Sequence, residues 1–373
     1  MKPYRVDIPQ ADVDDLRARL AHTRWPGEIP GQGWNRGVPL DYLKDLAGYW
    51  ADGFDWRAQE AWLNAFPQYV TEVDGQPIHL FHLRSANPDA LPLIMTHGWP
   101  SSGIEFLRLA EPLKDDFHLV LPTLPGYGFS NPVRAEGWGN IFRVAQAWTG
   151  LMERLGYTRY GVQGTDVGSG VAGILRMIDA KHVVGVHING ASPVAFGPPM
   201  ELEGLSEADR VRAERFNTFQ REGMGYFHLQ STRPQTLGYA LNDSPAGQLA
   251  WIVEKFKEWT DPAKELPEDA VDRDHLLTLI SVTWFNGAGA MSANMGYEGI
   301  KAWRAMAGQE QQEEPPGLPP LGVALFAADN GIRSRLGALG EVEHWSEYPA
   351  GGHFPGMEAP ELLAADLRTF FVE

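Results

Sequence analysis

From Leu93 onward the chain alternates short apolar runs with helical stretches, and no other feature narrows its possible folds as much. LPLIMT, FHLVLP, YGVQ and HVVGVHIN are each too short for a helix and rich in aliphatic side chains. Between the second and third, Ile141, Val144, Trp148, Leu151 and Leu155 recur at intervals of three and four, the spacing of an amphipathic helix. Near-continuous apolar strands separated by helices predict a mostly parallel sheet with both faces covered. The alternation then stops. Helical patterns around Glu207 to Glu222, Ala246 to Trp259 and Asp274 to Phe285 follow one another before LGVALF resumes the sheet. An α/β fold interrupted by a helical cap is the expected architecture.

Upstream of the alternation, Val13, Leu16 and Leu20 share one helical face, and Leu40, Leu43, Leu46, Ala47 and Trp50 share another. Such short helices cannot bury their apolar faces alone, so they are expected to wrap the main domain. YVTEV and PIHLFHL flank Asp74-Gly75, a hairpin signal. The expected organisation is a wrapping extension over residues 1–69, a first core part over 70–190, a cap over 191–317 and a second core part over 318–373. The tract QEQQEEPPGLPP, Gln309 to Pro320, reads as a solvated linker.

Composition excludes several classes of function. A formal charge of −17 with scattered basic residues argues against a nucleic-acid role. Without cysteine there is no disulfide, thiolate nucleophile or zinc–thiolate site, which suits a cytoplasmic enzyme. No apolar run approaches the length of a membrane span, so no membrane association is expected. A homodimer is left open. The 13 Trp and 17 Phe suffice for a large apolar interior.

Three motifs carry chemistry. YGVQGTDVGSG sets Gly164-Thr165-Asp166-Val167-Gly168 between a strand and a helix-forming run. This is the glycine-flanked elbow that lifts a nucleophile above a sheet, with Asp166 at the nucleophile position. An isolated G-x-D-x-G is more often an ordinary turn or cap, and its place after an apolar strand favours the catalytic reading. THGWPSS follows LPLIM directly, where a backbone N–H from Trp99 can join that of Val167 as an oxyanion hole. GGHF places His353 in a glycine-flanked loop near the C-terminus, and LGVALFAAD ends on Asp329. Any one of 11 histidines is more often a surface or core residue than a base. The chain order of nucleophile, acid and histidine is that of α/β-hydrolases.

With these motifs in place, the sequence resembles the microsomal-type epoxide hydrolases, in particular soluble bacterial members that include those of enediyne antibiotic biosynthesis. The resemblance extends along nearly the whole chain. It covers ADVDDLRARLAHTRWP, DWRAQEAWLNAFPQY, HGWP, LPGYGFS, the Asp166 elbow, STRPQTLGYALNDSPAGQLAWIVEKF and GGHFPGMEAPELL. It implies an α/β-hydrolase fold, a triad of Asp166, Asp329 and His353, and two cap tyrosines holding the epoxide oxygen. In GMGYFHLQSTRP the matching tyrosine is Tyr226, and in ANMGYEGIKAW it is Tyr297. The chain departs from the family's usual pattern in having Phe326-Ala327 in place of Phe-Pro, and Asp329 where glutamate is common.

The implied reaction converts a hydrophobic epoxide and water to a vicinal diol, without metal or organic cofactor. Asp166 would attack carbon, Tyr226 and Tyr297 would protect the leaving oxygen, and His353 would activate water to cleave the ester. Trp99 and Val167 would hold the oxyanion while Asp329 supports the imidazole. A haloalkane dehalogenase also uses an aspartate elbow, but it typically carries Trp directly after the nucleophile, where this chain has Val167. A non-catalytic ligand-binding protein of this fold would not need Asp166, His353 and both oxyanion features together.

Overall fold

In β4 (Leu91–Thr96) Leu93 and Met95 join one hydrophobic core while Ile94 joins another. In β5 (Phe117–Pro122) Leu119 and Leu121 separate from Val120 in the same way. Successive side chains in a strand point to opposite faces, so an apolar run without alternation is buried on both sides. The computed structural model describes residues 1–190, 198–306, 317–335 and 342–372.

Nine strands form one sheet in the order β1-β2-β3-β5-β4-β6-β7-β8-β9. The others are β1 (Lys2–Pro3), β2 (Gln68–Val73), β3 (Gln76–Leu83), β6 (Tyr160–Gly164), β7 (Val183–Asn189), β8 (Leu321–Leu325) and β9 (His344–Glu347). Pairing is antiparallel from β1 through β3 to β5 and parallel from β5 onward. Asp74 and Gly75 both take positive φ, 48° and 75°, in the tight turn joining β2 to β3. β4 lies between β5 and β6, so the loops leaving these strands diverge and leave a crevice at the carboxyl ends.

Between β7 and β8 the described chain is helical, with main helices at Glu207–Thr218, Pro234–Asp243, Pro245–Trp259, Arg273–Phe285 and Ala288–Met306. The second and last have no counterpart among the sequence expectations. The N-terminal helices do more than cover the sheet, because they also hold this helical layer. Buried Trp50 donates from Nε1 to Ser281 Oγ at 2.8 Å, and Tyr49 donates to Asp274 at 2.7 Å. The tract Gln309 to Pro320 lies outside the described residues as far as position 316. No single helix among the described residues is long and apolar enough to cross a membrane.

Candidate active site

Five loops at the carboxyl ends of parallel strands converge: Trp99 follows β4, Tyr127 follows β5, Asp166 follows β6, Asp329 follows β8 and His353 follows β9. Asp166 has φ 52° and ψ −122°, a conformation that non-glycine residues rarely adopt and that costs about 1–3 kcal/mol. The elbow is possible because its flanking glycines let backbones touch. A Cβ on Gly164 would lie 2.1 Å from the Gly168 carbonyl, and one on Gly168 would lie 1.9 Å from that of Thr96. Gly98 meets the same limit on the facing loop, where a Cβ would come within 2.1 Å of Asp166 Oδ1.

The Trp99 N–H donates to Asp166 Oδ1 at 2.9 Å, while Oδ2 lies 3.6 Å from His353 Nε2. Burial raises the Asp166 carboxyl, but His353 and the N–H groups of Val167 and Trp99 outweigh it and hold the group below its ordinary value. The carboxylate also stands at the start of the helix Val167–Ile178, where the backbone dipole favours negative charge. Burial opposes a charge on His353, yet Asp166, then Asp329 and Glu105, hold the imidazole above its usual value.

The histidine loop is clamped through its backbone. Gly351 N–H donates to Asp261 Oδ2 at 3.1 Å, His353 N–H to the Trp259 carbonyl at 2.8 Å, and Phe354 N–H to Glu358 Oε1 at 3.0 Å. Glu358 Oε2 in turn accepts the Asp261 N–H at 2.8 Å. The segment ending the helix Pro245–Trp259 therefore positions the candidate base. Asp329 is buried beside this loop and feels the charge of His353, but no hydrogen bond joins them among the described residues. Its Oδ2 accepts the Phe326 N–H at 2.7 Å, and burial pushes the carboxyl up to about 6.

A cavity of about 390 Å³ opens over Asp166, walled by Trp99, Tyr127, Trp138, Tyr226, Met295 and other apolar groups. Tyr226 stacks on Trp99 at 5.0 Å and meets Trp259 edge-on at 5.3 Å, and Trp259 in turn packs against His353. Buried Lys255, paired with Glu258 at 2.6 Å, sets its ammonium 4.9 Å from the Tyr226 ring centre, within cation–π range. Tyr297, the other tyrosine that the resemblance singles out, is 41% exposed and is not among the residues that line this cavity, whereas Ser292, Met295, Gly296, Gly299 and Ile300 of the same helix are. One residue turns a helical side chain by about 100°, so the position after Gly296 faces away.

Sequence reasoning also missed Tyr127, Glu105, Lys255 and the Asp261–Glu358 clamp. Tyr127, Lys255 and Glu358 all lie within stretches that carry the resemblance, LPGYGFS, STRPQTLGYALNDSPAGQLAWIVEKF and GGHFPGMEAPELL, but nothing local marks them out there. A separate trio, His187, His344 and Asp366, brings possible metal donors within 4.8 Å of one another. Asp366 already binds both imidazoles, at 2.7 and 3.0 Å, and the Tyr348 hydroxyl at 2.8 Å, so the three are tied into a hydrogen-bonded network through its carboxylate.

Residues 1–106 match the family model "Epoxide hydrolase N terminus", and residues 92–235 match "alpha/beta hydrolase fold". A Stigmatella aurantiaca protein provisionally named as an epoxide hydrolase is 41% identical over 99% of this chain and 84% of its own. Epoxide hydrolase 1 of Sus scrofa is 32% identical over 99% of this chain and 88% of its own. Among solved structures, the epoxide hydrolase of Aspergillus niger superposes with a TM-score of 0.86 at 30% identity, covering 99% of this chain and 95% of that one. By the sheet, by the elbow and by likeness along its whole length, this chain belongs to the epoxide hydrolase family.

Proposed function

We propose that this chain adds water across a hydrophobic epoxide to give a vicinal diol, through an ester on Asp166. The observation that carries this reading is the division of labour on one carboxylate. Oδ1 is engaged by the Trp99 N–H, while Oδ2 faces His353 beneath an apolar cavity. Oδ2 is then the oxygen that attacks the epoxide carbon. The C–O bond of the ring breaks, and Tyr226 donates toward the developing alkoxide. Oδ1 stays in the hole formed by Trp99 and Val167, ready to take negative charge when the ester is attacked.

Ester formation also prepares the second step. The Asp166 charge is the strongest influence favouring protonated His353, and alkylation removes it. The imidazole then gives up its proton more readily and is left neutral, the form that can accept one, just as water must be activated. His353 takes one water proton, hydroxide adds to the ester carbonyl, and collapse returns that proton to the diol oxygen; the second water proton, left on the Asp166 carboxyl, makes good by way of solvent the one that Tyr226 gave to the alkoxide, so Asp166 ends as carboxylate. Asp329 stabilises the transient imidazolium through space. In this scheme residues 1–69 wrap the core, 70–190 with 318–373 form that core, and 191–317 are the cap, of which 191–197 and 307–316 lie outside the described residues. A cysteine-free chain suits a reducing compartment, and we place the enzyme in the cytoplasm.

The test is His353→Gln mixed with styrene oxide. Its mass should rise by one substrate equivalent, mapped to the Asp166 peptide, and the adduct should persist. Asp166→Asn should gain nothing. Diol formation by His353→Gln with no adduct would reject the ester.

A further inference from the structure

Gly137-Trp138-Gly139 sets an indole between two glycines, on the loop that leads into the helix Ile141–Arg154. Both glycine N–H groups donate to one carboxylate on the helix Ala288–Met306, Gly137 to Glu298 Oε1 at 3.0 Å and Gly139 to Glu298 Oε2 at 2.7 Å. Side chains are excluded at both places. Gly137 has φ 99°, and a Cβ on Gly139 would lie 2.6 Å from the Met295 carbonyl oxygen. The loop is therefore pressed onto the helix, and Trp138 is held, 1% exposed, in the wall of the cavity over Asp166. Yet its Nε1–H, which can donate but not accept, has no partner among the described residues. A buried donor left unpaired costs more than an ordinary hydrogen bond contributes. Other polar side chains of this wall are engaged by the protein: Gln230 Oε1 accepts the Trp251 Nε1–H at 2.9 Å, and Ser292 Oγ donates to the Gly289 carbonyl at 3.2 Å.

We propose that Trp138 is a specificity residue whose Nε1–H binds a neutral carbonyl oxygen on the substrate; this rests on the cavity over Asp166 being the epoxide site. The preferred substrate is then a hydrophobic epoxide that carries a ketone, ester or amide on its substituent. The ring borders the cavity, so the ligand that fills it can supply the acceptor that the protein does not. A carboxylate is a poor occupant, because the apolar wall would strip its water and the Asp166 charge would repel it. A hydroxyl brings a donor of its own that would also need a partner, whereas a carbonyl oxygen needs donors only. The Arg143 guanidinium lies 4.1 Å from the centre of the Trp138 ring, tethered by Nη1 to the Glu136 carbonyl at 2.7 Å. A cation on the face of the indole draws electron density from it and makes the N–H a stronger donor. The Glu298 clamp fixes the ring before the substrate arrives, so little side-chain freedom is lost on binding. A bond to the substituent is made in the ground and transition states alike, so it shows in kcat/KM.

The experiment compares 1,2-epoxydecane with four ketones of the same chain, the carbonyl at carbon 5, 6, 7 or 8, by kcat/KM for diol release. Wild type should prefer at least one ketone to the hydrocarbon, and Trp138→Phe should lower that ratio about 5- to 30-fold. Packing lost with the smaller ring weakens both substrates and cancels in the ratio. Benzothienylalanine installed at position 138 keeps both rings and carries sulfur in place of N–H; it should lower the ratio by the same factor, and it decides the matter where Trp138→Phe does not fold. A second readout needs no turnover. In ¹⁵N-labelled Asp166→Asn, the indole signal that disappears on adding Trp138→Phe should move downfield with one of the ketones and stay in place with 1,2-epoxydecane. A ratio that changes less than about twofold in both variants, or an indole signal that responds equally to ketone and hydrocarbon, overturns the assignment and leaves the epoxide reading standing. Where wild type hydrolyses none of the five, the indole signal alone decides Trp138, and failure on styrene oxide as well brings down the proposed function itself.

Discussion

Glu105 is the buried group whose replacement has the most calculable consequence. It sits in the tight helical turn Gly103–Leu109, directly after the Trp99 loop, with no solvent exposure; neither carboxylate oxygen has a partner in good hydrogen-bond geometry among the described residues, and the Ser101 side chain is the polar group near enough to favour its charge. Burial pushes its carboxyl up to about 8; Ser101 and His353 pull it back in part, while Asp166 and Glu358 push it further. In the unfolded chain it titrates near 4.5. The folded state therefore binds the extra proton between these values, and the stability it contributes is complete below 4.5 and lost as pH rises through 8. At about 1.36 kcal/mol per pH unit, ionising Glu105 in place costs about 5 kcal/mol. That is comparable to the whole stability of many domains. Glu105→Gln keeps the shape and cannot ionise. Urea unfolding at pH 4 should find the two proteins within about 1 kcal/mol, since below 4.5 both bury a neutral group without taking up a proton. At pH 9.5 the variant should be more stable by about 3–5 kcal/mol. Asp329 and Glu358, also raised by burial, are common to both proteins and cancel in the difference. Parallel curves of stability against pH would refute the reasoning, because Glu105 would then be ionised or hydrated in the folded protein.

Two further substitutions test the geometry of the site. Gly98→Ala puts a methyl group where Asp166 Oδ1 lies, so the carboxylate must leave the Trp99 N–H; adduct formation should fall at least ~10²-fold, and an unchanged single-turnover rate would contradict the packing. Asp261→Ala removes the acceptor of the Gly351 N–H and should loosen the histidine loop; the ester should form normally but hydrolyse about tenfold more slowly, and equal slowing of both phases would point to general damage.

Much of the core was written in local sequence. The apolar runs marked their strands because burial on both faces leaves no polar positions, and Asp74-Gly75 marked its turn because two adjacent positive φ values admit few residues. The Asp166 elbow was legible for a related reason. Where backbones touch within the radius of a methyl group, only glycine fits, so close packing leaves a mark in the chain itself. The surroundings of the site left no such mark. Tyr297 and Gly296 are neighbours in sequence, and helical phase alone sends one to solvent and the other to the cavity. Tyr127 lies in a loop without periodicity, and Glu105 has the composition of a surface residue. Glu358 meets the Asp261 N–H across 97 positions of chain. Motif and periodicity report what a residue needs from its near neighbours along the backbone. Which phenols face the epoxide oxygen, which carboxyl is shut away from water and what holds the histidine loop depend on how distant helices pack against the sheet, and that is decided by the tertiary fold.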